Sequence, residues 1–175
     1  MRYVLCLVAA LASAIAGAAE IPNPLIDYVA FERNVEKVGK LREQRRVTED
    51  QFIRMARDPS TVILDARSAE RFRLLHVRGA RNLSLPDITA EELAKVIPSK
   101  STRVLIYCNN NFLNEPNAFA TKVPSASLNI HTFNVLYSYG YTNVYELGAL
   151  IDFQNAKLKF EGGGGQLAQL TVPAS

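Results

Sequence analysis

The chain has 175 residues, 48% of them hydrophobic and 21% charged, with two Cys, two His, no Trp and a formal net charge of +3. That length suits one domain, and the composition excludes a disordered chain, a collagen-like repeat and a disulfide-dense miniprotein. Two Cys and two His argue against a structural zinc module, and so modest a charge gives no argument for nucleic-acid binding.

Arg2 is the only charged residue before Glu20, and Tyr3 to Ala19 form an uncharged run rich in Leu, Val and Ala. A basic start, an apolar run and a small-residue exit predict a secretory leader over residues 1–19, cleaved after Ala18 or Ala19. An uncleaved anchor is the alternative, at the lower limit of length for a spanning helix. Cleavage leaves Cys108 as the single cysteine, with no stable membrane anchor and a periplasmic destination. A lone thiol in an exported chain is either reactive or a small buried hydrophobe.

Residues 20–46 read as a lead-in. Phe31, Val35, Val38 and Leu41 recur at helical spacing among mixed charges, which predicts an amphipathic helix with a solvated basic face. The next segment, 47–161, carries the domain. Thr48 to Gln51 spells a capping box, and Val47 and Phe52 flank it as a hydrophobic staple. A helix is expected from there to about Arg57, stopped by Asp58-Pro59. Thr61 to Leu64 is a buried strand ending at Asp65, and Ser68 caps a short helix through Leu75. Ile88 to Leu93 repeats the box and staple before a helix that Pro98 stops.

Arg103 to Tyr107 is the next strand, with Cys108 directly after it. A helix over Ser127 to Tyr139 ends at Gly140, His131 reads as a core histidine within it, and Asn143 to Glu146 is a further strand. Residues 162–175 read as a Gly-rich flexible tail. Short apolar strands alternating with helices imply an α/β fold with a parallel sheet covered on both faces.

In open α/β sheets, functional groups gather at the carboxyl ends of strands, where Cys108 stands. The polar run Asn109-Asn110-Asn111-Phe112 follows. Asn tolerates unusual backbone conformations, so the run suits a tight curl whose amides face the sulfur. Such a cradle favours thiolate over thiol and equips Cys108 as a nucleophile.

Four stretches make the sequence resemble the rhodanese-like family: Ile63-Leu64-Asp65-Ala66-Arg67; Glu70-Arg71-Phe72 with His76-Val77-Arg78-Gly79-Ala80-Arg81-Asn82-Leu83; Val104 to Cys108; and Gly140-Tyr141-Thr142-Asn143-Val144-Tyr145-Glu146-Leu147. The resemblance covers about residues 47 to 152. It implies a three-layer α/β/α fold with a mainly parallel central sheet. It also implies a thiosulfate-type sulfurtransferase or persulfide carrier, with Cys108 as nucleophile and Asn109, Asn110, Asn111 and Phe112 as the substrate-binding loop. The partners implied are a small sulfur donor and a thiol acceptor; no metal, cofactor or nucleic acid is expected.

This chain departs from the pattern at the loop. The usual loop is six residues ending in Arg, whereas Leu113 stands five after Cys108 and no Arg precedes the next helix. The loss removes a bidentate clamp for an oxyanion; Lys122 is a partial substitute. It also disfavours a Cys-based phosphatase and opens a second reading, a non-catalytic protein-binding module with Phe112 and Leu113 on its partner surface. Asp65 with Arg67 is expected to make a structural network, and His76 to fix the turn after it.

Overall fold

Two apolar strands, Val62–Asp65 (β2) and Val104–Tyr107 (β5), lie parallel at the centre of the sheet with every residue buried. They belong to a computed structural model that describes residues 21 and 23–163; the expected leader and residues 164–175 of the expected tail lie outside these. Their alternation assigns the two faces: Val104 and Ile106 point to one apolar layer, Leu105 and Tyr107 to the other. Val144–Leu147 (β7) pairs with β5, Arg46–Val47 (β1) with β7, and Arg81–Asn82 (β4) with β2. The order β1-β7-β5-β2-β4 is parallel throughout. The α/β architecture with helices on both faces is therefore the one expected.

One face is covered by Tyr28–Glu43 (α1), Ala90–Val96 (α4) and Leu128–Ser138 (α5), through Val38, Leu93, Phe133 and Leu136. On the other, Glu49–Ala56 (α2) inserts Phe52 beside Ile63 and Leu105. Each such fully buried side chain contributes about 1.5–3 kcal/mol. Ala69–Leu74 (α3), capped by Ser68, leads into His76–Val77 (β3). That strand pairs antiparallel with Phe160–Glu161 (β9).

Local signals worked where a side chain closes its own turn. The Thr48 hydroxyl accepts from Gln51 N at 3.2 Å and Gln51 Oε1 accepts from Thr48 N at 2.8 Å, completing the box. At Thr89 only half of it forms: Thr89 Oγ1 accepts from Glu92 N, but the Glu92 carboxylate turns to Lys95 at 2.7 Å. Gly140, at φ +83°, ends α5; its N–H reaches Tyr137 O while Tyr141 N reaches Leu136 O, a Schellman closure.

Three expectations differ. The lead-in helix starts earlier, because Asp27 caps it by accepting from Ala30 N, and it ends at Glu43 because Arg46 enters β1. Only its second half packs: Val38 is buried, whereas Phe31 and Val35 are exposed. His131 is exposed rather than in the core; the buried side of α5 is built from Asn129, Thr132, Phe133, Asn134 and Leu136. Among the described residues no helix is long and apolar enough to cross a membrane, and no group of His, Cys, Asp or Glu could hold a metal ion.

Candidate functional site

The carboxyl ends of β2, β5 and β7 carry Asp65, Cys108 and Gly148 to one edge of the sheet. Asp65 and Arg67 form the expected structural pair, and both are buried. Arg67 Nη2 donates to Asp65 Oδ2 at 2.6 Å and to Leu75 O at 2.7 Å, its Nε reaches Asp65 Oδ1 at 3.0 Å, and Nη1 reaches Ala118 O at 2.8 Å. The Tyr107 hydroxyl donates to Asp65 at 2.5 Å and accepts from Val77 N at 3.1 Å. Burial, reinforced by the Asp65 charge, pushes the Tyr107 phenol well above its ordinary range, so it stays a donor. With its fork committed to these partners, Arg67 is a fastener between loops.

His76, expected to fix the turn after it, engages the helix before it and reaches that turn only through Glu161, which accepts from Gly79 N. Its Nδ1 lies 2.7 Å from Phe72 O, its ring stacks on Phe72, and its Nε2 is 3.3 Å from Glu161. This joins α3 to β9.

Cys108 is buried, with Sγ 3.4 Å from the Ser127 hydroxyl. Its N–H donates to Asn111 Oδ1 at 2.9 Å. The three asparagines that follow make a 3-10 turn (residues 109–111), and their side chains do the fastening. Asn109 Nδ2 donates to Ala120 O at 2.6 Å, and Asn110 pairs with the Lys122 backbone through both amide atoms, at 2.7 and 3.1 Å. Asn111 Nδ2 holds Leu147 O and Ala149 O at 2.7 and 3.0 Å, while its Oδ1 also accepts from Asn129 Nδ2 at 3.1 Å. An amide is the side chain that can donate and accept at once, which is why Asn serves here.

The expected curl of amides about the sulfur is therefore corrected at one of its four members. Phe112 N–H goes to Asn109 O, whereas Asn111 N–H, 3.2 Å from Cys108 O, also faces the Cys108 side chain. A 3-10 turn leaves unused only the N–H groups at its start, here those of Asn109 and Asn110. Phe112 is not at a surface either. It opens Phe112–Leu113 (β6), which pairs with Ile151–Asp152 (β8), and its ring packs against Phe119 and Phe160 at 4.5 and 5.2 Å. Leu113 is exposed.

A cavity of about 320 Å³ opens on Cys108, bordered by Asn111, Ser127, Asn129, Arg42 and Arg46. Ile130, Leu147 and Leu150 supply apolar wall. Arg42 grips Glu146 bidentately, through Nε and through Nη2 at 2.6 Å. Lys122 is elsewhere, on a second cavity of about 430 Å³ with Arg71 and Ser84. Arg42, Arg46, Ser127, Asn129 and Glu146 were not singled out from the sequence. The arginines sit among other charges of a basic segment; the parallel pairing of β1 with β7 brings Arg46 to the cavity, and helix α1 brings Arg42 onto Glu146.

Residues 48–149 match the family model described as rhodanese-like domain. No curated protein matches the chain. It is similar to the solved rhodanese-like domain of an Anabaena sp protein, with 19% identity over 75% of this chain and 86% of that one and a TM-score of 0.49. A Bacillus halodurans protein gives 16% identity over 78% and 87%, with a TM-score of 0.49. A rhodanese with anions from E. coli gives 23% over 59% and 99%, with a TM-score of 0.40.

Proposed function

This chain belongs to the rhodanese-like domain family, and on that premise we propose that it is an exported sulfurtransferase or persulfide carrier with Cys108 as its nucleophile. The observation that carries the reading is the position of Cys108: it directly follows the central strand β5 and borders a cavity of about 320 Å³. That volume suits a small molecule. Export rests on the uncharged run Tyr3 to Ala19 behind Arg2.

In the proposed cycle the Cys108 thiol gives its proton to solvent. The thiolate then bonds to the outer, sulfane sulfur of the donor. The donor's sulfur–sulfur bond breaks, its electron pair leaves with the remainder of the donor, and Cys108 becomes a persulfide. An acceptor thiolate attacks the outer persulfide sulfur and the Cys108 thiolate departs. Ser127, 3.4 Å from Sγ, is positioned to donate a hydrogen bond to the thiolate.

The test is turnover of the leaderless protein with thiosulfate and a thiol acceptor, read as sulfite release. The wild type releases sulfite and Cys108→Ser does not. Equal release from both proteins contradicts the assignment of Cys108. A folded Cys108→Ser variant that retains full physiological function supports the binding-module reading instead.

A further inference from the structure

Arg46 stands two residues before the family match begins, yet it borders the Cys108 cavity. Two cations and one carboxylate meet at this wall. Arg42 takes the Glu146 carboxylate bidentately. Arg46 Nε is left 4.0 Å from the same group, while Arg46 Nη2 donates to Gly148 O at 3.2 Å. Its Nη1 has no partner among the described residues, and its side chain is half exposed. The wall therefore carries one uncompensated positive charge, on the rim of the cavity that Cys108 borders.

Gly148 is what lets Arg46 lie there. A Cβ at position 148 would fall 3.1 Å from Arg46 Cβ and 3.3 Å from Arg46 Nε. Such a methyl presses on the stem, which must give by a few tenths of an ångström, without changing the charge.

Resting on the sulfur-carrier reading, we propose that Arg46 is the anion-binding residue of the Cys108 site, so that the sulfur donor is an anion whose oxygens face its guanidinium. With thiosulfate the Cys108 thiolate bonds to the outer sulfur, the sulfur–sulfur bond breaks, and the electron pair leaves as sulfite against Arg46. Three negative charges enter the step and three leave it, one on the persulfide and two on sulfite.

The experiment compares alkylation of Cys108 by iodoacetate and by iodoacetamide, which share a chemistry and differ in charge. It uses the leaderless wild type, Arg46→Gln, Arg46→Lys and Gly148→Ala, with the exposed Arg54→Gln as a control, and it follows sulfur uptake from thiosulfate in parallel. The ratio of iodoacetate to iodoacetamide rates falls about tenfold in Arg46→Gln, as for loss of one charge-assisted hydrogen bond. It falls in the same direction in Gly148→Ala, recovers in Arg46→Lys and is unmoved in Arg54→Gln. An unchanged ratio in Arg46→Gln, or a wild type that neither reagent alkylates, overturns the proposal. An Arg46-dependent ratio in a wild type that takes up no sulfur from any donor overturns the sulfur-carrier reading and leaves Arg46 as the anion site.

Discussion

The sulfur of Cys108 lies 3.4 Å from the hydroxyl of Ser127, the residue that opens helix α5. A Ser in that position ordinarily caps its helix with the side chain; this one makes no such bond and turns to the thiol instead. Ser127→Ala is therefore expected to leave helix stability within about 0.5 kcal/mol while slowing iodoacetamide alkylation of Cys108 at neutral pH by about fivefold or more. A variant alkylated as fast as wild type removes the thiolate hydrogen bond from the account.

Asn111 fastens both the Cys108 backbone and the end of β7. Asn111→Asp exchanges two donors for acceptors and points a carboxylate at the carbonyls of Leu147 and Ala149. The expected loss is about 3 kcal/mol or more, because one carboxylate oxygen keeps the Cys108 and Asn129 donors while the other faces two carbonyls in a buried site. Urea denaturation reads it as a lower midpoint, and the variant's Cys108 should be alkylated faster as the turn opens. An unshifted midpoint contradicts the bracket.

Tyr107→Phe tests the network under the sheet edge. It removes a donor to Asp65 and leaves Val77 N without its acceptor, both in the core. The expected destabilisation is about 1–3 kcal/mol by urea denaturation. An effect below about 0.3 kcal/mol would mean that the phenol is not structurally engaged.

Much of this fold was legible because its central strands open on unbroken apolar runs, Val62 to Leu64 and Val104 to Ile106, and its helices announce themselves by caps. β2 and β5 need no partner to be recognised, and Thr48 with Gln51 closes on itself. The two-residue strands β1, β6, β8 and β9 left no period to read. At the site, Cys108 was visible as a thiol following an apolar strand, but the use of Asn109 to Asn111 was not. Residue types disclose which groups exist, and only the turn reveals that the side chains are the fasteners and that the Phe112 amide is consumed. Arg46 was hidden for another reason: it is 62 positions from Cys108, and a charge in a basic segment looks the same whether it faces solvent or a cavity.

Glu161 gives the fold an acid-sensitive seam. The Gly79 N–H bond at 3.0 Å, with His76 and Arg78 adding to it, holds its carboxyl below the usual range. A lowered folded value means that its contribution is complete above the unfolded value of about 4.3 and is lost as pH falls through the folded one. The carboxylate is nearly half exposed, so the effect is small. Thermal melts of wild type and Glu161→Gln should differ near pH 5 and converge toward pH 3. A gap that persists at pH 3 contradicts the assignment.

The account's central claim is that Cys108 carries sulfane sulfur, and intact-mass analysis after incubation with thiosulfate or polysulfide tests it most directly. The predicted result is a gain of one sulfur atom on the wild type, located at Cys108, removed by a thiol reductant and absent from Cys108→Ser. A wild-type mass unchanged with every donor, from protein whose Cys108 is still alkylated by iodoacetamide, would contradict it.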